Sequence, residues 1–253
     1  MATKTTNQAR PGAQLRRAFA TPMGLVAIIC LALVLFLAAF APIIWGEASQ
    51  TRDLTNLSGG PTPEHWAGTD AGGRDMLARV LVASRLSIMM ALESTAISLV
   101  MGLILGSAPI ILGRRAGRAV NWFIGIAVAF PGLLLALFFA VVFGSGAHQA
   151  AVAIGLAGGP SFARLCQTLI AGVLGRDYVA AAKVGGVGRF RLFGRHVLPN
   201  IGEPLVVNAT IGAGNALLAF ASLSFLGLGV QMPQFDWGRL LKECLEQQFR
   251  FHP

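Results

Sequence analysis

The chain has 253 residues, of which 55% are hydrophobic and 12% charged, and its mean hydropathy is +0.66. Soluble domains carry roughly 25% charged residues, so there is too little charge here to cover a water-facing globule. The apolar excess must face lipid, and a soluble enzyme is close to excluded. A net charge of +9 would suit a nucleic-acid binder, but the basic residues, all Arg except Lys4, Lys183 and Lys242, form short clusters between long uncharged stretches. That is the distribution the positive-inside rule produces, and it argues against nucleic acid as a partner.

Met1 to Ala20 is polar and basic, with Lys4, Arg10, Arg16 and Arg17 and no acid, so residues 1–22 read as a tail. Residues 23–46 carry no charge until Glu47. At about 1.5 Å per residue they reach roughly 36 Å, enough to cross a bilayer with some tilt. A signal peptide would have a shorter apolar core and a small-residue cleavage site, so a retained anchor is expected. Residues 47–85 mix the acids Glu47, Asp53, Glu64, Asp70 and Asp75 with Arg52, Arg74, Arg79 and Arg85, which predicts a surface loop. Turns are expected over Ser58 to Gly73. A short amphipathic helix is expected over Asp75 to Arg85, where Met76, Leu77, Val80 and Leu81 share a face.

The remainder, residues 86–253, reads as a membrane core. Its predicted spans are 86–112, interrupted only by Glu93; 119–143, with Pro131 expected to kink it; 147–172; and 203–230. Gln231 to Pro253 is expected to hold no further span. The pairs Gly102/Gly106 and Gly155/Gly159 stand at GxxxG spacing, which lets helix backbones approach closely. Between the last two spans lies a basic segment, 175–200, with Arg176, Lys183, Arg189, Arg191 and Arg195 against the single acid Asp177. It, the N-terminal tail and the Arg114 to Arg118 loop alternate with the less basic loops, which predicts a cytoplasmic N-terminus and an outward-facing 47–85 loop.

Catalytic chemistry is scarce. None of the lysines lies in a P-loop, and neither an HExxH nor a GxSxG motif occurs. Cys30, Cys166 and Cys244 have no metal or disulfide spacing. Gly144-Ser145-Gly146 beside His148 reads as a turn rather than a nucleophile with its base. No catalytic residue, metal site or cofactor is therefore expected on this chain. A charge at mid-bilayer costs on the order of 3 kcal/mol on insertion scales, so Glu93 is a candidate pathway residue. Its alternative is a carboxylate paired to an Arg of another helix or subunit. Arg164 and Glu203 lie near the cytoplasmic boundary, where snorkelling suffices.

The most informative stretch is Asp177-Tyr178-Val179-Ala180-Ala181-Ala182-Lys183, which has high helix propensity and small side chains; Gly185, Gly186 and Gly188 then stop the helix. Arg189 to Arg195 re-enters a helical pattern, with Phe190, Phe193 and Val197 in register and Pro199 expected to end it. Two short helices joined by a glycine turn would form a docking element for a cytoplasmic partner. A basic loop on anionic lipid would explain the arginines but not the Ala/Gly pattern.

Here the sequence resembles the inner-membrane permease subunits of ABC importers, whose signature is EAA, three residues, Gly, nine residues, then a hydrophobic residue, any residue, Leu-Pro. This chain has Ala180-Ala181-Ala182, Gly186 and His196-Val197-Leu198-Pro199, with Ala180 in place of the Glu and His196 in place of the hydrophobic residue. Gly68-Thr69-Asp70, Gly73-Arg74-Asp75, Arg79, Arg85 and Ser87 are similar to a block of the dipeptide/oligopeptide/nickel group, C-type second permease. So are Phe130-Pro131-Gly132-Leu133-Leu134-Leu135-Ala136, Phe162-Ala163-Arg164-Leu165, and Ser224 to Gln231 followed by Pro233 and Asp236-Trp237-Gly238. Asn121 stands where relatives often carry an acid.

The resemblance implies an all-α polytopic membrane protein with the type I ABC importer transmembrane fold. Five spans are counted where the family usually has six, which would leave the C-terminus outside. It further implies a homologous B-type permease, cytoplasmic ABC ATPases that bind the ATP and Mg, and an extracytoplasmic substrate-binding protein. In this chain the coupling helix would be Asp177 to Lys183, with Gly186 and Gly188 as its turn. Dipeptide or oligopeptide import is the implied activity. Import of nickel or another small solute, a non-conducting membrane scaffold and intramembrane hydrolysis are the alternatives.

Overall fold

The computed structural model describes residues 21–251, so the basic N-terminal tail with Lys4, Arg10, Arg16 and Arg17 lies outside the described residues. Every regular element among those described is helical, apart from an isolated bridge between Thr69 and Asp75. They divide into two units, the boundary falling between Arg85 and Leu86.

In the first unit, α1 (Pro22–Ile44) begins where Thr21 accepts a hydrogen bond from the Gly24 N–H at 3.2 Å and proline takes the first helical position, where no N–H is needed. Leu31, Leu33 and Phe36 on α1 are exposed, as side chains meant for lipid are. The segment after it is held together by backbone bonds, Asp53 N–H to Gly73 C=O at 2.8 Å and Ser58 N–H to the Asp70 C=O at 2.9 Å. Gly73 has φ +74°, and a Cβ there would lie 2.1 Å from the Asp53 carbonyl oxygen, so only glycine fits that crossing.

Next comes α2 (Met76–Leu112), a single helix of 37 residues. The predicted short helix over 75–85 and the span expected from Leu86 are therefore one element. No glycine or proline falls between Met76 and Met101 to end it.

The second unit also contains α3 (Arg114–Ala129), α4 (Gly132–Phe143) and α5 (Ala147–Leu174), followed by α6 (Asp177–Val184), α7 (Arg189–Leu192), a π-turn (Phe193–Val197), α8 (Leu198–Phe225) and α9 (Trp237–Phe251). The kink expected at Pro131 is a break: the axes on either side differ by 98°. Phe130, pushed to extended backbone by the following proline, closes α3 at φ −83°, ψ 140°, and Pro131 caps α4.

The stop expected at Pro199 is absent. Residues 189–225 run on as one apolar helical stretch. The π-turn resets the hydrogen-bond register so that Pro199 falls in the first turn of α8, where a missing N–H costs nothing. The helix predicted as 203–230 ends at Phe225.

α5 is the central element. Its buried residues are mostly Ala and Gly, and it packs on α4, α8 and α3. The GxxxG pairs of α2 and α5 both lie in the α2–α5 contact, each against larger residues of the partner helix: a Cβ on Gly102 would meet Phe162 and one on Gly106 would meet Cys166, while Cβ atoms on Gly155 and Gly159 would meet Ile97 and Met101. Contacts advance in the same direction along both chains, so α2 and α5 run parallel, and the α3–α4 pair carries the chain back between them. Ser98 Oγ donates to the Gly155 carbonyl at 2.9 Å across this interface.

Among the described residues, three stretches are long and apolar enough to cross a membrane: α1, α2 and residues 189–225; the bent α3–α4 pair makes a fourth if it is one crossing. α5 has 28 residues, but its small side chains and Arg164 lower its hydropathy.

Candidate functional site

The helix expected at Asp177 to Lys183 is present as α6, extending one residue further to Val184. Asp177 lies in its first turn and Lys183 in its last, each at the end where the helix dipole favours its charge. The end is a Schellman motif: Val187 N–H bonds to Ala182 C=O at 3.1 Å, Gly186 N–H bonds to Lys183 C=O at 3.1 Å, and Gly186 has φ +77°. An open space surrounds Gly186.

Val179 is fully buried, and with Ala182 it packs against Cys166, Ile170, Leu192 and Val197, which fixes α6 to the ends of α5 and α8. The opposite face presents Asp177, Ala180, Ala181 and Lys183 with Tyr178. Val184, Phe190 and Tyr178 are 91%, 73% and 41% exposed. The helical register that grouped Phe190 with Phe193 and Val197 fails at this point, since Val197 is buried while Phe190 points out. Val184 and Phe190 were not singled out for docking from the sequence; the signal available was an apolar residue on each side of the glycine turn.

The guanidinium of Arg189 lies against Gly113 in the α2–α3 turn, 2.8 Å from where a Cβ would stand. The basic 175–200 segment and Arg115 and Arg118, which the structure places at the start of α3 rather than in a loop, therefore share one end of the unit. Asn121, on α3, accepts a hydrogen bond from Gln167 of α5 at 2.7 Å.

Glu93, the candidate pathway residue, is engaged within the chain: its Oε2 lies 2.9 Å from His148 Nδ1. The predicted partner type, an Arg, is thus replaced by a histidine. Two further carboxylates are held in place. In the first unit, Asp70 receives Arg74 Nε at 2.7 Å, the backbone N–H groups of Gly72 and Arg74, and buried Arg79. Burial works to raise its pKa, but the Arg74 backbone bond and the charges of Arg79 and Arg74 outweigh this and hold the carboxyl below the usual range. Asp236 caps α9 by accepting from the Gly238 and Arg239 N–H groups, and here burial prevails over those bonds and pushes the carboxyl up.

A cavity of about 380 Å³ opens where α2, α4, α5 and α8 meet, beside the α3–α4 break. Ser98, Ser161 and Asn215 are its polar side chains, and Phe162 forms part of its wall. No group of three or more His, Cys, Asp or Glu side chains that could hold a metal ion occurs among the described residues.

Residues 98–245 match the family described as the binding-protein-dependent transport system inner membrane component. The chain belongs to that family. Among its relatives, the dipeptide transport system permease protein DppC of Alkalihalophilus pseudofirmus is 33% identical over 221 residues, covering 87% of this chain and 73% of the relative. The di/tripeptide permease DppC of Pseudomonas aeruginosa is 36% identical, covering 85% and 73%. The glutathione permease GsiD of Pectobacterium atrosepticum is 32% identical, covering 91% and 75%.

The inner membrane component also shares its fold with an inward-facing structure of the MetNI methionine ABC transporter. The TM-score is 0.52 at 17% identity, over 70% of this chain and 93% of that one. The all-α type I importer fold and a multi-pass membrane location follow. The family is one of transport components rather than ATPases.

Proposed function

We propose that this inner membrane component is a permease subunit of an ATP-driven importer of short peptides, and that it is driven through α6. The peptide assignment is supported by the names of its relatives, which carry dipeptides, di- and tripeptides and glutathione. The observation that carries the coupling role is the exposed face of α6. Val184, Tyr178 and Phe190 are exposed apolar side chains flanking a turn that Gly186 completes in the left-handed region, while Val179 anchors the helix to the ends of α5 and α8. A rigid knob of this kind transmits a push to the helices beneath it.

In this reading the knob seats in a cytoplasmic ATPase, which binds the ATP and Mg, and closure of the ATPases moves α5 and α8. A homologous permease completes the pathway, and an extracytoplasmic binding protein delivers the solute. The N-terminus and the 175–200 segment are cytoplasmic. The crossing elements are α1, α2, the bent α3–α4 pair, α5 and α8; α5 is included because it runs parallel to α2 and the α3–α4 pair must return the chain between them. Within α2 the crossing part is Glu93–Leu112, about 30 Å long, because the His148 contact sets Glu93 level with the start of α5. Asp177, Tyr178, Ala180, Ala181 and Lys183 face the ATPase, and Gly186 and Gly188 shape the turn.

Co-purification tests this. Tagged chain expressed with its partner permease and ATPases is expected to retain the ATPase, and Val184→Asp with Phe190→Asp to release it while the two permeases stay together. Undiminished ATPase in the double variant would contradict docking at this face.

A further inference from the structure

The cavity between α2, α4, α5 and α8 invites a more specific assignment, which rests on the peptide-permease reading. We propose that it is where this chain touches its solute in transit, that it suits short peptides with uncharged side chains, and that Phe162 limits their size.

Broken backbone at membrane depth is tolerated only where it is buried in protein or lines a cavity that can hold water. The 98° break between α3 and α4 meets that condition, because Gly132 and Leu133, directly after it, stand on the cavity wall. The volume of about 380 Å³ lies at the lower end of small-molecule sites, which run from about 300 to 1,000 Å³.

Its lining is neutral. Ser98, Ser161 and Asn215 provide hydroxyl and amide groups, the other described lining residues are glycine, alanine or larger apolar side chains, and none is charged. Ser98 donates to Gly155 and keeps its oxygen lone pairs for a second partner. Groups of this kind exchange hydrogen bonds with a peptide amide as readily as with water. A charged solute side chain would be stripped of water without a counter-ion. Glu93 is not among the lining residues.

Phe162 closes the end nearest α6. It is the lining residue of α5 closest to that helix, and its ring lies 3.0 Å from where a Cβ on Gly212 of α8 would stand. On its other side, its Cβ lies 2.4 Å from the Cβ position of Gly102 on α2. One aromatic side chain on α5 thus reaches both neighbouring helices, and glycines on both leave it room.

The test is ATP-dependent uptake by proteoliposomes holding the complete complex, with alanyl-alanine, phenylalanyl-phenylalanine and lysyl-alanine as probes. Comparing each variant with the unaltered complex cancels the preference of the binding protein. Phe162→Ala is expected to raise the phenylalanyl-phenylalanine to alanyl-alanine ratio on the order of tenfold, the lower end of what one methylene-sized difference is worth in a pocket. Asn215→Asp, an isosteric change at an exposed position, is expected to raise the lysyl-alanine to alanyl-alanine ratio by a similar order. If Phe162→Ala does not assemble, Asn215→Asp alone decides. Unchanged ratios with alanyl-alanine uptake intact would overturn the assignment of the cavity. Uptake of no dipeptide by the unaltered complex would instead overturn the peptide reading beneath it.

Discussion

A Cβ added to Gly102 of α2 would lie 2.4 Å from the Cβ of Phe162 on α5, closer than real Cβ contacts come. The two parallel helices touch backbone to backbone, and lipid gives no hydrophobic drive between them, so close packing must hold them. Gly102→Leu is expected to lower stability by at least about 1–3 kcal/mol, the usual cost of overpacking. Thermal melting in detergent checks it. Gly172→Ala, at an open position on the same α5, is the control and is expected to melt no lower than the unaltered chain.

Asp70 holds the first unit together, and its depressed pKa fixes the sign of the pH effect. A carboxylate whose folded pKa is lowered contributes stability that is present above the unfolded value, about 3.9, and lost as pH falls through the folded one. Hydrogen exchange at Gly72 and Arg74, corrected for intrinsic rates, is expected to show protection at neutral pH that disappears below this range. Asp70→Ala leaves Arg79 buried without its carboxylate. It is expected to cost about 3–5 kcal/mol.

Glu93 and His148 make a 2.9 Å side-chain contact whose histidine is 76% exposed, so its worth is small. His148→Ala and Glu93→Gln are each expected to change peptide uptake by less than about fivefold, the equivalent of about 1 kcal/mol. A much larger loss in Glu93→Gln alone, with His148→Ala unaffected, would make Glu93 a solute contact.

Gly186 combines a left-handed backbone with open space, so the cost of a side chain there is conformational. Placing an L-residue in that region costs about 1–2 kcal/mol, and β-branched valine more. Gly186→Val is expected to reshape the end of α6, lower ATPase stimulation by the loaded binding protein and lower the melting temperature by only a few degrees. Loss of melting temperature with normal coupling would contradict the role of this turn.

Much of this was legible in the residues. The two GxxxG pairs predict close helix packing, and both lie in the α2–α5 contact, each against larger side chains of the partner helix. The Ala/Gly run gave α6 to within one residue, because small helix formers followed by glycines leave the backbone little choice. Proline was less informative. At Pro131 the position of the break could be read but not its 98° angle, which depends on where α4 finds a partner. At Pro199 the π-turn absorbed the missing donor, and periodicity carries no mark of such a register change. The sequence predicts no further span over Gln231 to Pro253, where the structure has the helix α9. Its cap, Asp236, also accepts a hydrogen bond from the Ser224 side chain near the α8 end, a contact distant in sequence. The cavity was also invisible, since its residues come from four helices and none is unusual alone.

The central claim is that this chain moves peptides when an ATPase acts on α6. ATP-dependent uptake of labelled alanyl-alanine into proteoliposomes tests it most directly, with the partner permease, ATPases and binding protein present. The expected result is uptake that needs ATP and binding protein and falls sharply in Gly186→Val. ATP hydrolysis stimulated by the binding protein without peptide accumulation, or uptake indifferent to Gly186→Val, would contradict it.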